Sequence, residues 1–370
     1  MHLFMIQTIG ILGGGQLGRM MAIAARTMGY NIVVLDPTPD CPCAAVADKQ
    51  IVASFDDVEA AKELLSSCDV ITYEFENVNL AVAKALEPKL PQGSELLKIT
   101  QNRILEKELI RSAGLQTVNY TAITNRQELQ GFANNYQTNT RKIVIKTAQG
   151  GYDGKGQFVI ENIDDLEAFV QNGFNEHIHY VAEDFISFEK EVSVIVCRNS
   201  RGEVSVFPVV ENIHKNQILF VSIIPARVSD VVIAAAQKAA LQLANHLNLI
   251  GTLAVEMFVC NNDIVINELA PRPHNSGHFS LNACATSQFE QHIRAVCNLP
   301  LSDNRLLSPC VMINVLGQDQ QLMNHDYIGK NKLHLYGKKE AKHDRKMGHI
   351  NVLGETLEEC LMEADRLLNV

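Results

Sequence analysis

The stretch LAVEMFVCNNDIVINELAP, residues 253–271, decides how the chain is read. Two β-patterned runs, Leu253–Cys260 and Ile264–Leu269, flank Asn261-Asn262-Asp263, residue types that favour tight turns. A three-residue turn sets Cys260 opposite Ile264, and therefore Glu256 opposite Glu268. Alternation along each strand puts both carboxylates on one face. Like charges directly opposite are unfavourable unless a cation lies between them. Two carboxylates plus substrate phosphates are a typical Mg²⁺ environment, so Glu256 and Glu268 are candidate metal ligands; a solvated charged face is the alternative. A two-residue turn would misalign the pair. An ideal strand aims Asn267 at the other face, so a metal role for it needs a local twist.

Immediately downstream, APRPHNSGHF (270–279) gathers Arg272, His274, Asn275 and His278 within seven residues. A polar loop at the end of a buried strand is a usual place for substrate-binding groups, and this set beside a carboxylate pair suits a small anion. Upstream, IKTAQGGYDGKGQF (145–158) places Lys146 at the end of the strand Lys142–Lys146 and Lys155 among Gly150, Gly151, Gly154 and Gly156. The glycines leave backbone N–H groups available to phosphate oxygens. The GK[ST] ending of a P-loop is absent, so the segment reads as a mobile lid over a nucleoside triphosphate, with a solvated hairpin tip as the alternative.

At the amino end, GILGGGQLGRMM (10–21) sets Gly13-x-Gly15-x-x-Gly18 after the strand Ile9–Leu12 and before a helix over Gln16–Gly29. This is either a dinucleotide fingerprint, with Asp36 reading a ribose, or a turn for another phosphate. The strands Asn31–Leu35 and Val70–Tyr73 and a helix over Ala60–Ser66 complete a βαβαβ rhythm, hence a parallel sheet. Pro88, Pro91 and Gly93 then mark a boundary. Beyond it the texture changes: a helix over Gln101–Ser112, a strand pair Glu191–Arg198 and Glu203–Val210, a helix over Ala234–Leu247, and a smaller mixed segment after about residue 306. The expected division is 1–93, 94–305 (lobes 115–187 and 188–305) and 306–370.

Composition narrows the function. The net charge of −10 argues against nucleic acid or an anionic membrane as the main partner. No apolar run reaches the length of a membrane span. The start, MHLFMIQTIG, lacks the basic region of a signal peptide. The 9 Cys are dispersed without a CxxC, as expected of reduced thiols in the cytoplasm.

Taken in order, GGGQLGRM, YEFENV, QNRILEK, GGYDGKGQ, EKEVSVIV, GTLAVEMF, INELAPRPHNSGH and RKMGHINV span residues 13 to 352. In these segments the chain resembles the ATP-grasp superfamily, and within it the N5-carboxyaminoimidazole ribonucleotide synthetases. The resemblance implies an α/β (α+β overall) fold: a Rossmann-like pre-ATP-grasp domain, an ATP-grasp domain and a small C-terminal domain. It implies a cytoplasmic homodimer that uses ATP, Mg²⁺ (with Mn²⁺ as a substitute), bicarbonate and aminoimidazole ribonucleotide. For ATP it implies Arg103 and Lys146, and a lid of Gly151, Tyr152, Asp153, Gly154, Lys155, Gly156 and Gln157. Glu183, Asp184, Phe185 and Ile186 should read adenine, Glu191 should hold the ribose, and His214, Asn267 and Glu268 should line the same site. Gly15, Gln16, Leu17 and Glu74 should hold the substrate ribonucleotide, with Lys339 and Arg345 adding anion contacts. Arg272, His274, Asn275 and Lys155 are the expected catalytic set. A formate-using sister ligase and an NAD-dependent oxidoreductase are the competing readings.

Overall fold

The computed structural model describes residues 6–138, 141–150 and 156–369. Three sheets carry the fold. The first comprises β1 (Thr8–Leu12), β2 (Asn31–Leu35), β3 (Lys49–Ile51) and β4 (Val70–Tyr73), in the order β3-β2-β1-β4. Every pairing in it is parallel. Near-continuous burial along β1, β2 and β4 matches strands covered on both faces. Helix α1 (Gln16–Thr27) follows β1 and buries Leu17, Met20, Met21 and Ala25. It stops before the expected Gly29, which takes φ +89 just past the helix end, where a left-handed residue closes the last turn.

The second sheet is antiparallel: β5 (Tyr120–Ile123), β6 (Ile143–Thr147), β7 (Gln157–Ile160) and β8 (Tyr180–Asp184), in the order β5-β8-β6-β7. The third holds β9 (Lys190–Arg198), β10 (Val204–Val206), β11 (Val210–Lys215), β12 (Ile218–Ile224), β13 (Gly251–Cys260), β14 (Asp263–Ala270), β15 (Cys310–Leu316), β16 (Lys332–Leu335) and β17 (Lys346–Leu353). Its order is β14-β13-β9-β11-β12-β15-β17-β16, with β10 beside β9. The expected strand Glu203–Val210 is interrupted at Pro208, which has no N–H for a ladder. The segment after residue 306 does not form its own sheet. Its β15 pairs with β12, Val221 opposite Ile313, and one apolar cluster runs across that join. Helices α2 (Arg103–Ser112) and α3 (Asp230–His246) pack on the β13–β14 end.

The β13–β14 hairpin reaches the expected pairing by an unexpected route. Cys260 pairs with Asp263, so the turn has two residues, Asn261 and Asn262, at φ 50 and 64. Both are left-handed, as a tight hairpin turn of matching twist requires, and Asn tolerates that region better than most residues. The register then runs Val259–Ile264, Phe258–Val265 and Met257–Ile266. Continued unchanged, it would set Glu256 against Asn267. A β-bulge beside Met257 absorbs Asn267 and restores Glu256 opposite Glu268. Two departures from the expected geometry compensate each other, and the bulge supplies the local twist that Asn267 needed.

Candidate active site

The three sheets border a cleft of about 860 Å³. At one end stand Glu256, Asn267 and Glu268 of the hairpin. Glu256 Oε1 lies 3.0 Å from His274 Nε2. Burial pushes the Glu256 carboxyl up, but the His274 hydrogen bond and the nearby His214 and Arg272 outweigh it and hold it well below the usual carboxylate range. Glu268 Oε2 lies 3.3 Å from Arg103 Nη1, at the first turn of α2. Behind it, Glu106 is 2% exposed and accepts the Leu269 N–H at 2.7 Å. Burial and the charge of Glu268 push Glu106 up to about 8, against Lys107 and Arg103.

Two carboxylates face each other here with one arginine between them and α2. Among the described residues no group of three or more His, Cys, Asp or Glu could hold a metal alone.

Arg272 and His274 form the floor. The Arg272 Nε donates to Glu76 Oε2, and its Nη1 donates to Pro273 O at 3.2 Å. Burial would lower the Arg272 pKa, but Glu76, Glu74 and Glu256 raise it, so the guanidinium stays charged. Part of the Arg272 guanidinium is therefore already committed to Glu76. Asn275 borders the cleft, but its amide is turned to Asn314: Nδ2 donates at 3.0 Å and Oδ1 accepts at 2.7 Å. It locks the loop onto β15, so both its amide atoms are engaged there rather than turned into the cleft. His278 is fully buried against Gln288 and His349, outside the cleft.

Along another wall, Lys146, Gln157, Glu191 and His214 line the cleft. Glu191 Oε2 meets His214 Nδ1; burial opposes a charge on His214, but this hydrogen bond raises its pKa. Glu183 does not reach the cleft. It is 3% exposed and bridges Lys146 at 2.6 Å and Lys107 at 3.0 Å. Burial opposes its charge, yet the two lysines hold its pKa below the usual range. Asp184 pairs with Arg141 at 2.9 Å, the exposed Phe185 carries Lys142 over its ring at 4.3 Å, and Ile186 is half-buried. Gly156 sits beside Thr147 at φ +75. Gly151, Tyr152, Asp153, Gly154 and Lys155 lie outside the described residues.

The opposite end holds the glycine turn. Gly15 N–H donates to Glu74 Oε1 at 2.5 Å and Gly18 N–H to Oε2 at 2.7 Å. A carboxylate of the protein thus occupies the α1 terminus, where a phosphate was expected to sit on these donors. Burial raises the Glu74 pKa, the two N–H groups oppose that, and Asp36 adds to it. A Cβ on Gly13, at φ +100, would lie 2.4 Å from Glu74 Cγ, and one on Gly15 2.6 Å from Oε1. Close carboxylate approach is one reason this turn is glycine. Asp36 accepts from Gly14 N–H and Thr38 N–H, both at 2.8 Å, and is only 7% exposed, so it is not free to read a ribose.

Facing Glu74 are Lys338, Arg345 and Lys346 from the C-terminal segment, with Gln16 and Leu17. Lys339 is not among them. It is exposed and pairs with Asp40 at 3.2 Å. Lys338, one residue earlier, points inward, 2.5 Å from Gln16 Oε1 and 2.7 Å from the Lys346 carbonyl. Burial, then the neighbouring Arg345, lower its pKa to about 8. Sequence reading also missed Phe258 and Leu219 on the cleft wall. The apolar residues gave no signal beyond strand patterning. Lys338 lies outside any strand, after Gly337 at φ +76, so strand alternation could not have marked it either.

Family models match along the whole chain: a ribonucleotide synthetase preATP-grasp domain over 6–101, an ATP-grasp domain over 108–289, and a phosphoribosylaminoimidazole carboxylase C-terminal domain over 310–363. The chain is 48% identical to the N5-carboxyaminoimidazole ribonucleotide synthase of Bacillus subtilis over 360 residues, 96% of this chain and 93% of that one. A crystal structure of an N5-carboxyaminoimidazole ribonucleotide synthetase bound to ADP superposes with a TM-score of 0.92 at 49% identity, covering 99% of this chain and 98% of the other. The Aspergillus clavatus enzyme, in complex with ADP and 5-aminoimidazole ribonucleotide, superposes at 0.89 with 29% identity, covering 98% of each chain.

Proposed function

The chain belongs to the N5-carboxyaminoimidazole ribonucleotide synthase family of ATP-grasp ligases, and from that premise we propose how its cleft works. The enzyme carboxylates 5-aminoimidazole ribonucleotide with bicarbonate at the expense of ATP, giving N5-carboxyaminoimidazole ribonucleotide, ADP and phosphate in purine biosynthesis. The oxidoreductase reading falls with this membership, and the engaged Asp36 removes its ribose reader.

One observation carries the residue-level reading. A single cleft has a facing carboxylate pair at one end, three cations at the other, and Arg272 with His274 between them. The first end suits the nucleotide phosphates and Mg²⁺ (or Mn²⁺). Glu256 and Glu268 would hold the ion, which when bound offsets the charge of the phosphates. Arg103 and Lys146 add positive charge toward the phosphates, and Glu191, His214 and Asn267 border the nucleoside. Lys155 keeps its assignment to phosphate on sequence grounds. Lys338, Arg345 and Lys346 take the substrate phosphate. Glu74, holding the α1 terminus, faces the substrate body.

Between the ends, a bicarbonate oxygen bonds to the γ-phosphorus as the bond to ADP breaks, giving carboxyphosphate. The exocyclic amine nitrogen then bonds to the carboxyl carbon as phosphate leaves, and the nitrogen loses a proton. Arg272, held charged by Glu76, orients the carboxyl group, and His274 Nε2 holds Glu256 in place beside it. Water must be kept out, because carboxyphosphate hydrolyses.

The division at 93 and 305 stays part of the proposal as a division by sequence, the last segment sharing the third sheet and an apolar cluster with the one before it. A homodimer working in the cytoplasm is part of the same proposal and rests on family resemblance. Among the described residues no helix is long and apolar enough to cross a membrane.

Oxygen labelling tests the order of steps. With ¹⁸O-bicarbonate, the released phosphate should carry one labelled oxygen per turnover. Unlabelled phosphate would mean that water attacks ATP, and would refute the carboxyphosphate route.

A further inference from the structure

His274 is held from behind by a line of buried polar groups that the reaction as described does not use. Its Nδ1 lies 2.9 Å from Ser276 Oγ, and the Ser276 backbone N–H points at the same nitrogen at 3.4 Å. Ser193 Oγ donates to Ser276 Oγ at 2.8 Å. Asn212 Nδ2 donates to Ser193 Oγ at 2.9 Å, and Ser222 Oγ donates to Asn212 Oδ1 at 2.9 Å. The three serines have no exposed surface, and Asn212 has 7%.

The line crosses the sheet on one face. Ser222 on β12 is the register partner of Asn212 on β11, and Ser193 on β9 is the register partner of Glu256 on β13. Four polar side chains inside a core are costly unless each finds a partner, and here each one does.

The line also has a direction. A carboxylate can only accept, so the Glu256 contact at 3.0 Å requires a proton on His274 Nε2. In the neutral ring Nδ1 is then an acceptor. A hydroxyl has one proton to give, so Ser276 gives its proton to Nδ1 and must accept from Ser193. Ser193 in turn accepts from the Asn212 amide, whose orientation Ser222 fixes. With a neutral ring, reversing any link would leave an acceptor against an acceptor along the line or at Glu256.

We propose that Ser276, backed by Ser193 and Asn212, is a positioning residue that holds His274 as the Nε2–H tautomer with its ring edge toward the cleft. Second-layer partners of this kind set tautomer and ring angle elsewhere, and their loss typically costs 10- to 100-fold in activity. The proposal rests on the role given to His274 above.

The test joins kinetics to a spectroscopic reading of the ring. Ser276→Ala should lower kcat by about 10- to 100-fold, with the KM for ATP and for aminoimidazole ribonucleotide within about twofold. Ser193→Ala leaves Ser276 in place and should cost less, about three- to tenfold. The double variant should resemble Ser276→Ala alone, because both lie on one line. Histidine-selective ¹⁵N spectra, with the resonance assigned through His274→Asn, should show protonated Nε2 and bare Nδ1 in the parent protein, and mixed tautomers in Ser276→Ala. Should Ser276→Ala fail to fold, Ser193→Ala gives the same two readings. A parent His274 protonated on Nδ1, or variants with an unchanged tautomer, would overturn the positioning role. Mixed tautomers with unchanged kcat would instead overturn the role assigned to His274.

Discussion

The two ends of the cleft treat charge in opposite ways. At the glycine turn, the N–H donors of α1 are satisfied internally: Glu74 spans Gly15 and Gly18, and Asp36 takes Gly14. At the hairpin, Glu256 and Glu268 are set face to face, with Arg103 against one and His274 against the other. The first end has balanced an electropositive helix terminus with its own carboxylate. The second has concentrated negative charge that a divalent cation can balance. A helix terminus is thus an anion site only when no side chain reaches it first, whereas facing carboxylates need donors or cations against them, here Arg103 and His274.

The sharpest way to break the comparison is to neutralise the hairpin. Glu256→Gln and Glu268→Gln should each lower turnover by about 10² or more, since each removes charge at the main electrostatic centre. Electron paramagnetic resonance of Mn²⁺ with ADP should show weakened metal binding in both. Near-parental turnover at saturating metal would remove the carboxylates from the site.

Glu74→Gln probes the other end. The amide keeps one acceptor for the two N–H groups and loses the charge, so the KM for aminoimidazole ribonucleotide should rise about tenfold. The KM for ATP should hold within about twofold. Equal changes in both would mean that the turn acts through the fold alone.

A pH profile sharpens the same end. Lys338 sits at about 8, lowered chiefly by burial, so it is charged below that value and neutral above it. If its ammonium binds the substrate phosphate, kcat/KM for the ribonucleotide falls as pH rises through about 8, reaching about tenfold at pH 9. Lys338→Arg should remove this inflection, because arginine stays charged. A profile that keeps the inflection in Lys338→Arg assigns it elsewhere. The smallest effect belongs to Lys339→Ala. Its ion pair with Asp40 is exposed, and such pairs contribute little, so kinetics and melting temperature should match the parent.

Much of this was legible in the sequence because it depended on local chemistry. The parallel amino-terminal sheet followed from apolar runs alternating with helices. The Glu256–Glu268 pairing followed from strand periodicity, although the assumed turn length was wrong and Asn267 corrected it. A bulge leaves no clear mark in a pattern of period two. Side-chain orientation was the part the sequence did not carry. Glu183, Asn275 and Lys339 are polar residues whose orientation is set by distant partners: Lys107, Asn314 and Asp40. Sequence spacing does not encode such partners. Ser193 and Ser276 were invisible for the same reason, lying 83 residues apart in a contact of 2.8 Å.

The account's central claim is that one cleft joins an ATP-driven carboxylate activation to capture by a ribonucleotide amine. ADP formation measured in CO₂-depleted buffer, with each component added back, tests this most directly. The account predicts turnover only when bicarbonate and aminoimidazole ribonucleotide are both present. Formate should give none, because it lacks the third oxygen that the Arg272 guanidinium can pair. Formate that restores turnover as well as bicarbonate does, or a glycinamide ribonucleotide that serves better as acceptor, would contradict it.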